Sequence, residues 1–449
     1  MRVKDSIDER VKARCTGLKR ALMAMSASVA LGAGGLQAAE PGVDEKLQIL
    51  QRELDQIKAQ IDSLRAAAPA TGAGTAAAPP GSPYAAAPSS ADAGRYGISR
   101  LSAPAVPGST TLGGYGEFNY NRYRNRDTPS KADLRRFVLF FGHQFNDRLR
   151  FQSELELEHA VASKDDQGEV EVEQAFLDYR INDAFNVKAG LFLIPLGILN
   201  ETHEPTTYFG VERNAVETRI IPTTWREGGV GLHGVVGPGF NYDVGITTGF
   251  DAGKFDDPRT GIRSSHQELQ LANATDLSWY GALNYRGTPG MLLGGGVFSG
   301  NTGQNGASNA ALKHVDGHLT LWDVHGKYRH GDLDLQALYA RGTLGDADKI
   351  SAATGTVAPA AFFGWYGQAA YHLWKFDGME LAPFIRYERL NTQQRVAAGL
   401  VPDPLNNERI VTAGVNFYLH PQVVLKADYQ KFRGDSDKDR FNLGVGYMF

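Results

Sequence analysis

The stretch RLRFQSELELEHAV, residues 148–161, alternates apolar and polar side chains with a period of two. In a β-strand this period places Leu149, Phe151, Leu155 and Leu157 on one face and Gln152, Glu154, Glu156 and Glu158 on the other. A strand with an apolar face and an acidic face fits a sheet that has lipid on one side and water on the other. A soluble β-sandwich alternates in the same way, so the lengths of the connections between strands have to distinguish a membrane barrel from a sandwich.

The connections alternate between short and long. Sixteen alternating segments can be counted between Thr111 and Phe449, and tight links such as 182–184 and 375–377 are followed by long ones such as 195–225 and 391–407. Tight turns at one rim and long loops at the other are typical of outer-membrane barrels, and sixteen strands enclose a water-filled lumen. The sequence therefore predicts an all-β fold, a 16-stranded antiparallel transmembrane β-barrel over residues 111–449.

Composition is compatible with this fold and excludes others. The 449 residues carry a formal net charge of -4, so no basic excess is present to bind nucleic acid. No apolar run reaches the roughly 18 residues that a membrane-spanning helix needs. The mean hydropathy of -0.31 would suit a soluble protein, but it also results when lipid-facing and water-facing residues alternate.

The N-terminus predicts export. Basic residues precede an apolar run from Ala21 to Leu36, and small residues follow before Glu40. We interpret residues 1–39 as a signal peptide, with a short anchoring helix as the alternative. The single cysteine, Cys15, would leave with this segment, so the mature chain would have no thiol for catalysis or metal binding.

Residues 40–65 predict a short coiled-coil trimerisation helix, and residues 66–110 predict an Ala/Pro-rich linker. The helix has apolar residues at alternating spacings of four and three, which is the pattern of a coiled coil. These residues are Val43, Leu47, Leu50, Leu54, Ile57, Ile61 and Leu64. A helix packed on its own domain remains the alternative. The linker composition cannot bury a core and favours a flexible tether.

Four stretches resemble the phosphate-selective porin O and P family of Gram-negative outer membranes. They are LGGYGEFNYN at 112–121, VEQAFLDY at 172–179, AGLFLIPLGILNETHEPTTYFGVERNAVETRIIPTTWREGGVGL at 189–232 and GVGYMF at 444–449. The resemblance implies a porin in the cell outer membrane, surrounded by its lipid. It also implies a homotrimer with the third long loop folded into the pore, and Phe449 as part of the signal read by the barrel-assembly machinery. The coiled coil would then lie in the periplasm.

The long segment 195–225 is by order the third long loop, so its charged residues are the candidates for a pore constriction. They are Glu201, His203, Glu204, Glu212, Arg213, Glu217 and Arg219. Charged groups at a constriction determine which ions pass. Arg213 and Arg219 could face carboxylates across the pore, or they could form salt bridges that hold the loop to the wall.

Further charges are candidates for the lumen wall. They are Glu154, Glu156, Lys327, Arg329, Arg386 and Lys426. Acidic and basic residues are mixed, and an anion pathway needs arginine and lysine to dominate. We therefore interpret the chain as a passive diffusion channel for small hydrophilic solutes or ions, with phosphate or other anions as possible solutes.

No enzyme chemistry is indicated. No histidine pair has the tight spacing of a metal site on one strand face, no glycine-rich loop precedes a helix, and no nucleophile, base and orienting group occur together. We expect no catalytic residues, no metal and no cofactor. The alternatives to a porin are a structural barrel that anchors the envelope and an outer-membrane hydrolase.

Overall fold

The computed structural model describes residues 107–449. The predicted signal peptide and coiled coil, and nearly all of the predicted linker, lie outside the described residues. Within the described part, no helix is long and apolar enough to cross a bilayer.

Seventeen strand segments dominate the described chain. They are β1 Thr110–Tyr123, β2 Lys131–Gln144, β3 Leu149–Glu158, β4 Val170–Arg180, β5 Asn186–Leu193, β6 Arg226–Val236, β7 Phe240–Thr247, β8 Ser278–Tyr285, β9 Met291–Gly300, β10 Leu319–His330, β11 Leu333–Leu344, β12 Pro359–Tyr371, β13 Trp374–Phe376, β14 Met379–Val396, β15 Asn407–His420, β16 Val423–Phe432 and β17 Arg440–Met448. Two α-helices lie in connections between strands: α1 Val216–Arg219 precedes β6, and α2 Ala347–Thr354 precedes β12.

The strands form a closed antiparallel barrel. Each strand pairs with its neighbour in the sequence, apart from β12 and β13, and β1 closes the ring by pairing with β17, with Tyr115 opposite Met448. Gly114 and Phe449 extend this seam, since each backbone N–H donates to the carbonyl of the other at 3.0 and 2.9 Å. Both β12 and β13 pair with β14, so they form one interrupted wall strand. The predicted 16-stranded barrel is confirmed.

The bounds differ from the predicted ones near β14. The sequence predicted a turn at residues 375–377, whereas β13 reaches Phe376 and the turn falls at Asp377–Gly378. Both turn residues have positive φ, at 49° and 79°. The loop predicted from residue 391 begins only after Val396, because polar residues there continue to pair with β12.

The outer face of the barrel is apolar, and the inner face is polar. Leu155, Ile246 and Trp279 are 46%, 58% and 51% exposed, whereas Glu154 and Glu156, next to Leu155, are each 1% exposed. Lipid would cover the first group, and the second faces the lumen. The period-two alternation in the sequence therefore places the acidic face of β3 inside, as expected.

Four long connections on the same rim fold over the barrel. We name them L3 (194–225), L4 (248–277), L5 (301–318) and L6 (345–358). They form one hydrophobic cluster together with inward-facing wall residues such as Phe298 and Phe362. Its loop members include Trp225 from L3, Phe250 from L4 and Ile350 from L6, each at most 1% exposed. Because these side chains are shielded from water, the cluster holds the loops together at this rim.

Candidate pore constriction

L3 lies inside the barrel. Its backbone N–H groups at Gly197, Val211 and Ala215 donate to inward-facing carboxylates from separate parts of the wall. The acceptors are Asp323 on β10 at 3.1 Å, Asp428 on β16 at 2.6 Å and Glu388 on β14 at 2.5 Å. Backbone donors in a loop need partners when water is excluded. The carboxylates of the wall supply them, so L3 follows the inside of the barrel instead of projecting from the rim.

Two glycines in β17 allow the close approach of L3. A Cβ atom on Gly446 would lie 2.5 Å from Cβ of Pro205, and one on Gly444 would lie 3.1 Å from a methyl of Val211. These glycines belong to the GVGYMF stretch that carries the family resemblance. Their conformational freedom is not what matters here, since the missing side chain makes room for the loop.

Glu217 connects the two ends of L3 through hydrogen bonds to its carboxylate. Its Oε1 accepts the backbone N–H groups of Ile198 and Leu199 at 2.5 and 2.7 Å, and its Oε2 accepts from Asn214 and from the hydroxyl of Tyr366. The side chain of Glu217 is 1% exposed. This glutamate was a candidate for the constriction, and the structure places its carboxylate against the chain instead of against water.

The two arginines of L3 differ in their partners. Arg219 forms an ion pair with Glu408 on β15, with 2.9 Å between Nη1 and Oε2. Arg213 is 9% exposed and donates to the hydroxyl of Thr223 at 2.8 Å and to the carbonyl of His203 at 3.1 Å. Of the two roles considered, attachment to the wall describes the contact of Arg219, and Arg213 connects two parts of the loop.

His203 and Glu204 are buried at 1% and 0% exposure. Nε2 of His203 lies 3.4 Å from Glu154 on β3 and 3.7 Å from Glu173 on β4. Burial lowers the pKa of His203, but the nearby carboxylates of Glu154 and Glu173 outweigh it and raise the pKa to about 10. The middle of L3 is therefore attached to an acidic part of the wall.

The part of L3 that faces water is acidic. Its partly exposed polar residues are Glu201, Thr202, Thr207, Glu212, Thr218 and Arg219. The charged members are two glutamates and one arginine, and that arginine is paired with Glu408. Glu212 accepts a hydrogen bond from Asn121 at 3.0 Å.

The basic candidates of the wall are held by other groups. Arg386 donates to Glu388 at 2.9 Å and to the carbonyl of Phe209 in L3 at 3.0 Å. Nζ of Lys426 lies 3.6 Å from the ring centroid of Tyr208 and the residue is 5% exposed. Arg386 and Lys426 are thus brought together with L3.

Lys327 and Arg329 lie toward the short-turn end of β10. Lys327 is 3.9 Å from Asp334, and Arg329 is 3.6 Å from Glu380. Both pairs line a cavity near the short-turn rim of the barrel, and Thr207 of L3 lines the same cavity. A second cavity is lined by Lys327 and Arg329 together with Glu201 of L3, so the structure brings these two candidates to the loop as well.

Four residues of the site, Glu117, Arg136, Tyr208 and Glu173, were missed by sequence reasoning. Glu117 on β1 accepts the hydroxyl of Tyr208 at 2.7 Å and lies 3.1 Å from Arg136 on β2. Burial and the carboxylate of Glu117 raise the pKa of Tyr208 well above its ordinary value. The alternation in LGGYGEFNYN could have predicted that Glu117 faces inward. The alternation of valine and glutamate at 170–173 could have predicted the same for Glu173, and the β-bulge that follows places Gln174 inward as well.

Comparisons with known proteins agree with this architecture. A family model described as phosphate-selective porin O and P matches residues 111–442. The chain belongs to this family of porins. The porin is 32% identical to an uncharacterized protein of Aquifex aeolicus (strain VF5) over 360 residues, which cover 77% of this chain and 81% of the relative.

Solved structures resemble this porin in fold. OmpF of Salmonella typhi, in complex with daunomycin, is 16% identical, covers 76% of this chain and 98% of its own, and superimposes with a TM-score of 0.52. An anion-selective porin from Comamonas acidovorans is 10% identical, covers 76% of this chain and 99% of its own, and has a TM-score of 0.49. Family and fold together support an outer-membrane channel rather than an enzyme.

Proposed function

We propose that this porin is a passive diffusion channel for small hydrophilic solutes and ions, with a constriction that does not favour anions. The observation that carries the proposal is the charge of the water-facing side of L3. Glu201 and Glu212 reach that side, and its only arginine, Arg219, is paired with Glu408.

An anion filter requires cationic groups that face the ion and are not already neutralised. Arg386 is paired with Glu388, and Arg329 with Glu380. A carboxylate close to each guanidinium cancels most of the field that an anion in the pore would experience. The described wall therefore supports weak or cation-favouring selectivity better than it supports a phosphate channel.

Reversal potentials across a planar bilayer in a KCl gradient test the proposal. We expect the wild-type channel to show no anion preference, and the Glu212→Gln channel to lose part of any cation preference. Glu169→Gln is the matched control, because Glu169 is exposed on the loop between β3 and β4. A wild-type reversal potential of the anion-selective sign, with higher conductance in phosphate than in chloride of equal ionic strength, would overturn the proposal in favour of phosphate.

The assembly that accompanies this function is a homotrimer with the coiled coil in the periplasm. Its support is the heptad spacing of residues 43–64 and the family to which the barrel belongs. Removal of residues 43–64 should lower the fraction of trimer in detergent while the conductance of each barrel is retained. In the same proposal Phe449, which ends the barrel seam, forms part of the signal for the barrel-assembly machinery, so Phe449→Ala should lower the amount of assembled porin.

A further inference from the structure

Glu173 is a buried carboxylate without a hydrogen bond. It is 0% exposed, and neither of its oxygens has a hydrogen-bond partner. A buried carboxylate in this state is costly unless a cation or a proton compensates it. Glu173 is also the extra residue of a β-bulge, since Glu154 is opposite Gln174 and Leu155 is opposite Val172. Bulges redirect side chains and occur frequently beside functional sites.

Two groups of possible metal ligands share this carboxylate. One consists of Glu154, Glu173 and His203, and the other of Glu156, Glu171 and Glu173, with ligand atoms within 4.8 Å of one another in each group. In the second group an arginine contacts each of the other two carboxylates. Arg136 lies 3.3 Å from Glu156, and Arg226 lies 2.6 Å from Glu171. The first group has no arginine at these distances, and its nearest basic side chain is His203 itself.

The imidazole of His203 is oriented as a metal ligand would be. Its Nδ1–H donates to the carbonyl of Asn200 at 3.0 Å, which leaves Nε2 directed at the two carboxylates. Ligating histidines usually donate their other N–H to a carbonyl or carboxylate in this way. Asn200 is itself fixed, because it donates to the carbonyls of Ile194 and Trp225 at 2.7 and 2.9 Å.

Glu154 is oriented in a similar way. Its Oε2 accepts from Gln174 at 2.6 Å, and its Oε1 is directed at His203. The separations of 3.4 and 3.7 Å from Nε2 to the two carboxylates are longer than the roughly 2.7–2.9 Å of a charge-assisted hydrogen bond. Two ligand atoms bound at about 2.1 Å to one ion at a tetrahedral angle lie about 3.4 Å apart.

We propose that Glu154, Glu173 and His203 bind a divalent transition-metal ion, such as Zn²⁺, that joins L3 to the barrel wall. Two carboxylates and one imidazole favour such an ion over Mg²⁺ or Ca²⁺, which prefer sites made only of oxygens. His203 belongs to L3, and the two glutamates belong to β3 and β4. The ion therefore cross-links the middle of the loop to the wall, and it is taken up as the barrel folds, because the site is closed to water. This site is independent of the proposed ion selectivity.

Metal content after refolding tests the proposal. The full chain is refolded into detergent with Zn²⁺ or with EDTA, then dialysed and analysed by atomic emission, and the heat-modifiable mobility of the barrel reports folding. We expect about one zinc ion per folded wild-type chain. The zinc content should fall about tenfold or more in Glu173→Gln and in His203→Gln. It should stay unchanged in the exposed controls Glu169→Gln and His330→Gln.

Three outcomes overturn the proposal. The first is a folded wild-type barrel without zinc, which would mean that a proton on His203 supplies the compensating charge. The second is zinc retained at full level in both folded variants. The third is displacement of zinc by a small excess of Mg²⁺. If the variants do not fold, the wild-type barrel loaded with Co²⁺ still decides, because its visible absorption reports whether imidazole and carboxylate ligands surround the ion. An absorption spectrum of hydrated Co²⁺ counts against the site.

Discussion

The two ends of L3 and its middle are held inside the same barrel by different forces. The ends, 194–198 and 216–225, belong to the hydrophobic cluster that joins L4, L5, L6 and wall residues of β5, β8–β12 and β14–β16. The middle, 200–214, meets strands β1, β3, β4 and β16 through carboxylates, amides and hydroxyls. Apolar contacts provide most of the free energy that keeps the loop packed inside the barrel, and polar contacts determine which of its groups face the lumen. The comparison teaches that apolar packing can hold the constriction loop of a porin in place, so that the charged groups of the loop are available for ion selectivity.

The largest effect is expected from the apolar ends. Trp225 is 0% exposed, and its ring centroid lies 5.1 Å from Phe250 and 4.6 Å from Phe298. Trp225→Ala should lower the free energy of unfolding by about 3–5 kcal/mol because it leaves a cavity in this cluster. The loop should then detach, so that single-channel conductance rises and fluctuates. Trp279→Ala, on the lipid-facing side of β8, is the control, and an equal effect of both variants would contradict the anchoring role of the cluster.

A smaller effect is expected from the polar middle. The hydroxyl of Tyr208 donates to Glu117 at 2.7 Å, and Arg136 still lies 3.1 Å from Glu117 when that hydroxyl is removed. Tyr208→Phe should therefore cost about 1–3 kcal/mol in thermal unfolding, since one charged hydrogen bond is lost without isolating the carboxylate. Tyr328→Phe on the outer face is the matched control. A loss as large as that of Trp225→Ala would show that polar contacts, not the cluster, hold the loop.

The smallest effect on stability is expected from Arg219. Its side chain is 28% exposed, and its partner Glu408, which is 9% exposed, also binds Lys438 at 2.8 Å. Arg219→Gln should cost only about 0.2–1 kcal/mol, because solvent screens a pair of this kind. Its reversal potential in a KCl gradient should shift toward cations, since the carboxylate of Glu408 loses one of its two cationic partners and keeps only Lys438. Arg148→Gln, in an exposed short turn, should change neither property, and a shift toward anions in Arg219→Gln would contradict the pairing.

Alternation and link length were enough to predict the barrel, since each is a local property of the chain. Leu155 and Glu156 face opposite sides because successive strand residues do so, whatever surrounds them. Link length likewise predicted which rim carries the long loops. The prediction was wrong where the wall strand is interrupted between β12 and β13: the turn predicted at residues 375–377 lies at Asp377–Gly378.

The partners of the candidate residues could not be predicted in the same way. Glu212 meets Asn121 across 91 residues of chain, and Val211 meets Asp428 across 217. Both partners are ordinary inward positions of a strand, and nothing in their sequence indicates that L3 will reach them. Arg213 and Arg219 have similar sequence surroundings, but one connects two parts of the loop and the other is paired with the wall.

The sequence by itself determined the closed barrel and its apolar outside, because period-two alternation and tight turns act within a few residues, and the family resemblance indicated which loop enters the barrel. Only the tertiary structure decided which charges of that loop face water and which are buried against the wall. Those contacts depend on ring closure and on the bulge that lets Glu173 and Gln174 both face inward. Both result from pairing between strands, and the sequence of one strand does not determine which residues of another strand it will face.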